Sequence, residues 1–216
     1  DGIRDVERSR GLGDVYKRQV NYALKEIVCK IVYYGPGMCG KTTNLQHIHQ
    51  HTQPDKRGNM VSLATPGERT LFFDFLPLEA TQVHGFRTKF QLYTVPGQVM
   101  YNSTRKLVLR GVDGVIFVCD SQWEKTRENL ESFRNLIENL GSYGYSLETT
   151  PYVVQYNKRD LPNIAPVEYL RYLINPRQVP DFEAIAIHGE GVFEALSEIC
   201  SLVLANITHK QKVGIA

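Results

Sequence analysis

Apolar and polar positions fall into blocks with two different periods along this chain. EIVCKIVYY (26–34) is a short, β-branched, apolar run that stops at a glycine, which predicts a buried parallel strand. KTTNLQHIHQHT (41–52) follows and predicts a helix. TLFFDFLPL (70–78) and GFRTKFQLYTV (85–95) predict two more strands. In the second, Phe86, Thr88, Phe90 and Leu92 alternate with Arg87, Lys89, Gln91 and Tyr93. That is a one-sided surface, so the pair is expected as an antiparallel hairpin at the edge of a sheet. GVDGVIFVCD (111–120) and PYVVQYN (151–157) predict central strands again. Between them Leu130, Phe133, Ile137 and Leu140 recur at helical spacing, with Gly141 and Gly144 offering a stop. Val192, Leu196, Ile199, Val203 and Ile207 form one stripe of a last helix.

Strands that alternate with helices predict an α/β fold. Its central sheet is mostly parallel with an antiparallel edge strand, and helices cover both faces. Ligands in such folds bind outside the carboxyl ends of the strands. The 216 residues suit one domain with a sizeable core. A net charge of +2 is too small to argue for nucleic acid or an anionic membrane as a partner. Cys29, Cys39, Cys119 and Cys200 include no C-x-x-C pair, and Cys29 and Cys119 sit in apolar runs. Buried thiols in a reducing cytosol are the expectation. No apolar run approaches the roughly 20 residues of a membrane helix, and the end KVGIA carries no lipidation cysteine. Membrane attachment is therefore expected only through a partner.

The segment DGIRDVERSRGLGDVYKRQ (1–19) is polar and follows neither period. DVYKRQ is what GAT-GTG-TAT-AAG-AGA-CAG encodes, which resembles a sequencing adapter read through in frame. The adapter is the reading adopted, and a natural disordered arm is the alternative. Either way 1–19 is set aside, 20–209 is expected as the domain, and 210–216 as a tail.

The first chemical signal is GPGMCGKT, which matches G-x-x-x-x-G-K-[ST] from Gly35 to Thr42. Glycines let successive backbone N–H groups curl around one anion. Gly35, Gly37, Met38, Cys39 and Gly40 form that cradle, with Thr43 opening the helix behind it. Lys41 would reach the β- and γ-phosphates, and Thr42 would offer its hydroxyl to Mg²⁺. The helix adds its positive end. The pattern sits after a strand and before a helix, as a phosphate loop should. In the nearby HIHQH, His47 and His51 could share a helix face as zinc ligands do, but no third ligand presents itself. A surface helix end is the reading there.

The second signal is NKRD (157–160), after the apolar YVVQY. Guanine presents N1–H and N2–H₂ on one edge, and one carboxylate can accept both. Asp160 would read the base this way. Asn157 would brace the loop and the stem of Lys158 would cover the purine face. A backbone N–H near Ala186, in AIAIHGEGV (184–192), could meet guanine O6; a purely structural loop is the other reading.

With these two motifs and a Gly-Gln element in order, the chain resembles the Ras-like small GTPases. KIVYYGPGMCGKTTNLQ, RTLFFDFLPL, LYTVPGQVMY, RKLVLRGVDGVIFV and QYNKRDLP are similar to the MglA group, the bacterial gliding-motility and cell-polarity GTPases. The resemblance runs from about Asn21 to the last helix. It implies a Ras-like GTPase fold and a GTP/GDP switch with slow, activator-stimulated hydrolysis. Gly97 would offer its N–H to the γ-phosphate and Gln98 would orient the attacking water. Thr70 resembles the switch threonine that binds Mg²⁺, and Arg69 resembles an arginine finger supplied in cis. An exposed arginine without a role is the alternative for Arg69.

One departure is visible. Most Ras-like proteins read D-x-x-G-Q where this chain has TVPGQ, so Thr94 stands where an aspartate would hold Mg²⁺ through water. Asp74 is the nearest candidate substitute, and a polar residue on an exposed sheet face is its plainer reading. The resemblance further implies an MglB-like, homodimeric roadblock activator as partner. It implies a protein monomeric by itself, cytoplasmic, and placed at a cell pole. Two other readings stay open. A non-hydrolysing guanine-nucleotide switch would follow if Thr94 had cost catalysis. An ATP-using P-loop enzyme would treat VIFVCD as a Walker B strand ending in Asp120, but it leaves NKRD unexplained.

Overall fold

The computed structural model of the chain describes residues 20–21, 24–65, 69–83, 86–98 and 101–213; for 20–21, 63–65, 69–73, 80–83 and 210–213 this concerns the backbone alone. The expected arm 1–19 lies outside the described residues. Strands are β1 (Val20–Asn21), β2 (Glu26–Tyr34), β3 (Val61–Thr65), β4 (Arg69–Val83), β5 (Phe86–Thr94), β6 (Gly114–Asp120), β7 (Tyr152–Asn157) and β8 (Asp181–Glu183). Helices are α1 (Lys41–His51), α2 (Asn102–Leu109), α3 (Thr126–Gly141), α4 (Val167–Ile174) and α5 (Val192–Val213). The sheet runs β3-β4-β5-β2-β6-β7-β8, with β1 added antiparallel to β2. β2, β5, β6, β7 and β8 pair in parallel, and β3, β4 and β5 pair antiparallel.

Strand β2 explains the layering. Cys29, Ile31 and Tyr33 join a core with Leu45 and Ile48 of α1 and with Val192, Leu196, Ile199, Val203 and Ile207 of α5. Val32 and Tyr34 point the other way, into a core with Val108 and Leu109 of α2, Phe133 and Leu136 of α3 and Leu170 of α4. Side chains of a strand alternate between faces, so one continuous apolar run serves two cores. Strand β5 keeps the sequence alternation: Thr88, Phe90 and Leu92 are buried while Arg87 is exposed.

Several expectations need correction. The β4–β5 hairpin is not the edge, because β3 covers β4 and forms the edge itself. β4 begins at Arg69, one residue before the expected start, and extends to Val83. On α3, Ile137 is exposed and Leu136 is buried in its place. The helix presents Phe133, Leu136 and Leu140 inward at 3–4 spacing, a rotation of the stripe by one position. α5 continues through Val213, so the described part of the expected tail, 210–213, is helical. Val192–His209 is also long and apolar enough to cross a membrane by length and composition, contrary to the run-length reading. Its stripe of Val192, Ile199 and Val203 is spent in the core, as in the core helix of a layered domain. The cysteines are free; Cys29, Cys39 and Cys119 are buried.

Candidate nucleotide site

The carboxyl ends of β2, β6 and β7 meet at one place. Tyr34, Asp120 and Asn157 are their last residues, and each strand opens into a motif loop. The phosphate loop follows β2. Met38 takes a left-handed φ of 61° and Gly40 one of 100°, bending the loop before α1 begins at Lys41. Gly40 is required for a second reason: a Cβ there would lie 2.2 Å from Asn157 Nδ2. The N–H groups of the first turn of α1 face the loop, as anion binding needs.

The loop is braced from two sides. Asn157 Nδ2 donates to Cys39 O at 2.8 Å, and Asn157 Oδ1 accepts from Ala186 N at 2.9 Å. One buried amide thus ties the phosphate loop, the NKRD turn and the 184–192 loop together. On the other side, Gly97 presses against the loop so closely that a Cβ on it would stand 2.2 Å from Gly37 Cα. The sequence singled out Gly37 and Gly97 separately; the structure puts them in contact.

Lys41 is buried and folded back on the loop, donating to Pro36 O at 2.6 Å and Gly35 O at 3.1 Å. Burial lowers its pKa, and Cys39 beside it acts the other way. Its ammonium is therefore poorly solvated and held by neutral oxygens, ready for a better acceptor. Lys158 has a left-handed φ of 66° and an ion pair to Asp120 Oδ2 at 2.6 Å. Asp120 Oδ1 accepts from Gln122 N, and Asn129 holds the Asp120 backbone at both N and O. The carboxylate expected of a Walker B strand is thus committed to the guanine-motif lysine. Asp160 is exposed at the rim of the turn.

Asp74 differs most from its plainer reading. It is fully buried, not on an exposed face. Its Oδ2 accepts from Thr42 Oγ1 at 2.6 Å and from Thr94 Oγ1 at 2.9 Å, its Oδ1 from Ser62 Oγ at 2.5 Å. Asp74 N donates to Thr94 Oγ1 at 2.8 Å. A carboxylate from the neighbouring strand thus stands beside Thr42, held in place by Thr94. Thr42 and Asp74 form an all-oxygen set that fits a hard divalent cation such as Mg²⁺.

Thr70 and Arg69 are not brought there. Both lie in β4, where Thr70 pairs with Ala64 and Arg69 with Thr65. Thr70 is four strand residues from Asp74, about 13 Å along the backbone. Gln98 is half-buried, and its carbonyl accepts from Tyr101 N at 3.1 Å. The N–H of Ala186 is already taken by Asn157, so a base oxygen would have to share it. His47 and His51 stack at 4.0 Å, and His47 also meets Phe193 edge-on at 6.0 Å. Among the described residues no group of three or more metal-ligating side chains is gathered.

Sequence reasoning missed Arg105, a fully buried arginine of α2 whose guanidinium donates to Gly97 O. Its signal was faint, one of three basic residues in the amphipathic segment RKLVLR.

A family model described as the ADP-ribosylation factor family matches residues 16–203. The mutual gliding-motility protein MglA of Myxococcus xanthus is 55% identical over 188 residues, covering 87% of this chain and 96% of that protein. A Ypt/Rab-type GTPase, ypt7, of Schizosaccharomyces pombe is 26% identical over 190 residues, 85% of each chain. The Ras-related protein SEC4 of Saccharomyces cerevisiae is 21% identical over 215 residues, covering 99% of this chain and 88% of that one.

Proposed function

The chain belongs to the ADP-ribosylation factor family of Ras-like small GTPases, and from that premise we propose that it is a GTP-hydrolysing switch for bacterial cell polarity or gliding motility, turned off by a roadblock-type activator. The observation that carries the site is Asn157, which bonds the phosphate loop at Cys39 and the base loop at Ala186 at once. Phosphate and guanine recognition are thereby one rigid unit.

In this reading the backbone N–H groups of Gly35 and of 37–43, with the α1 N-terminus, hold the β- and γ-phosphates. Lys41 exchanges the carbonyls of Gly35 and Pro36 for phosphate oxygens. Asp160 accepts guanine N1–H and N2–H₂, and Lys158, steered by Asp120, covers the purine face. Small GTPases generally use Mg²⁺; Thr42 would hold it directly and Asp74 through water, and when bound it neutralises charge on the phosphates. Gln98 orients a water that attacks the γ-phosphorus; the bond to the β–γ bridging oxygen breaks and GDP leaves. Arg69 and Thr70 join only if the β3–β4 pairing at Ala64–Thr70 and Thr65–Arg69 is released. That requirement supplies both a reason for slow unaided turnover and a task for the activator.

The localisation expected with this role is cytoplasmic and polar, with the protein a monomer away from its activator. The test is guanine-nucleotide binding in competition with ATP, followed by single-turnover phosphate release with and without the roadblock protein. Displacement by ATP as readily as by GTP would defeat the base assignment; GTP binding without any phosphate release would favour a switch that does not hydrolyse.

A further inference from the structure

Arg105 is a charged side chain with no exposed surface, held only by neutral groups. Its Nε donates to Tyr34 Oη at 3.0 Å, one terminal nitrogen to Gly97 O at 3.0 Å and the other to Ser132 Oγ at 2.8 Å. The guanidinium also lies over the Tyr34 ring, 4.4 Å from its centre. Among the described residues no carboxylate forms an ion pair with it. Burying a cation without a counter-ion costs several kcal/mol, so mere cross-linking of α2 to the sheet is a poor account of it.

The surroundings point elsewhere. Tyr34 Oη donates to Asn135 Oδ1 at 2.7 Å, and Asn139 donates to Tyr34 Oη at 3.0 Å, so the ring that carries Arg105 is itself fixed from α3. Asn139 and Asn135 both donate to Asn102 Oδ1 at the start of α2, closing the network on the helix that carries Arg105. At the tip of this frame the guanidinium meets Gly97 O. That carbonyl and the N–H of Gln98 belong to one planar peptide unit, so fixing one aims the other. Gly97 in turn rests on Gly37 of the phosphate loop. The charge of Arg105 is felt in the same loop, where it opposes protonation of Lys41.

We propose that Arg105 is a positioning residue for hydrolysis: it pins the Gly97–Gln98 peptide in the orientation that water attack needs, and its uncompensated charge favours a triphosphate over a diphosphate in the loop. This deepens the hydrolytic reading and rests on it. The γ-phosphate brings the negative charge that the buried guanidinium lacks. The pin is tightest in the state about to react.

The experiment compares wild type with Arg105→Gln, Arg105→Lys and Ser132→Ala. It measures activator-stimulated single-turnover rate and the ratio of GTP to GDP affinity with fluorescent analogues. Arg105→Gln, which keeps length and loses charge, is expected to slow turnover by about 10²-fold, the scale of a 1 Å misplacement. It also lowers the GTP-over-GDP preference about fivefold or more, a ratio that a merely structural lesion would leave alone. Arg105→Lys recovers the preference but not the rate, because an ammonium cannot span the three acceptors. Ser132→Ala frees one arm, keeps the charge, and slows turnover several-fold at an unchanged affinity ratio. Turnover within twofold and an unaltered ratio in Arg105→Gln overturn the assignment. If that variant does not fold, a normal rate in Ser132→Ala overturns it instead. Wild-type protein that binds GTP and never releases phosphate would bring down the hydrolytic reading beneath it, whereas normal wild-type turnover with an indifferent Arg105→Gln brings down this assignment alone.

Discussion

At the scale of single residues, the proposed site has two carboxylates in opposite settings, one exposed and one buried, and each makes its own prediction. Asp160 stands exposed at the end of a turn that Asn157 and Lys158 hold from behind. Asp160→Asn exchanges an acceptor for a donor opposite guanine. GTP affinity is expected to fall by roughly 1–3 kcal/mol for each guanine donor left unpaired, and preference to turn toward xanthosine triphosphate, which carries a carbonyl where guanine carries its amine. Competition binding with the two nucleotides measures this, and an unchanged preference for GTP removes Asp160 from the site. Asp74 is the buried counterpart, receiving hydroxyls from Thr42, Thr94 and Ser62. Asp74→Asn removes the charge and turns a donor toward at least one of those hydroxyls. The Mg²⁺ concentration needed to retain bound nucleotide should rise about tenfold or more, a change of about 1.4 kcal/mol in cation affinity. Nucleotide release followed across a magnesium series decides it; an unmoved midpoint would leave Asp74 a structural residue.

At the scale of elements, the α4–β8 corner stands apart from the nucleotide motifs and is stabilised by a defined ion pair. Arg171 of α4 makes two bonds to Asp181 of β8, at 2.7 and 2.9 Å, and Asn175 adds a third at 3.0 Å. The Arg171 hydrogen bonds hold the Asp181 carboxyl below its usual pKa, against the opposing effect of burial. A depressed folded-state pKa gives stability that is present above the unfolded value, about 4, and is lost as pH falls through the folded value. Arg171→Ala should therefore cost about 1 kcal/mol at pH 7, because Arg171 is partly exposed. The difference from wild type should shrink progressively as the pH is lowered below the unfolded value in urea unfolding. A gap that persists undiminished in acid would assign it to packing. Elements that carried a strong period were legible from sequence: β2, β6, β7, α1 and the stripe of α5 all lie where their apolar positions placed them. β3 and β8, five and three residues long, gave no such signal. β3 is VSLAT beside a Pro-Gly pair, with Val61 and Ser62 exposed, so its strand state comes from pairing with β4 and not from an apolar face. Asp74 was misjudged for a related reason. Its burial depends on β3 and β5 closing over β4 from both sides, a tertiary fact invisible to local alternation. Phosphate-loop and guanine motifs were legible because each chemistry demands fixed residue types at fixed spacing; Arg105 serves by where its helix packs, and no spacing announces that.

At the scale of the whole molecule, the two halves of the sheet have different characters, and the last prediction follows from that difference. β2, β6 and β7 are central, paired on both sides and buried, and they hold the phosphate loop and the base turn. β3 and β4 form the outer antiparallel pair, and β4 carries Arg69 and Thr70 at its start. Edge pairing is the part of a sheet that opens at least cost, which suits a segment that must leave its ladder to reach nucleotide. A guanidinium placed on the γ-phosphate oxygens is worth roughly 10³ to 10⁵ in rate. If Arg69 provides it in cis, the activator need contribute no arginine, only the unpaired geometry. Arg69→Ala should then keep GTP affinity within a few-fold and lose at least about a hundredfold of activator-stimulated turnover. Arg69→Lys should rescue little, because the planar fork is gone. Gln98→Leu should be comparably inactive, and the double variant little worse than either single one, as for residues that act as a unit. Single-turnover phosphate release with saturating activator, alongside titration of activator binding, separates the cases. Normal stimulation of Arg69→Ala at unchanged activator affinity would show that the finger comes from elsewhere.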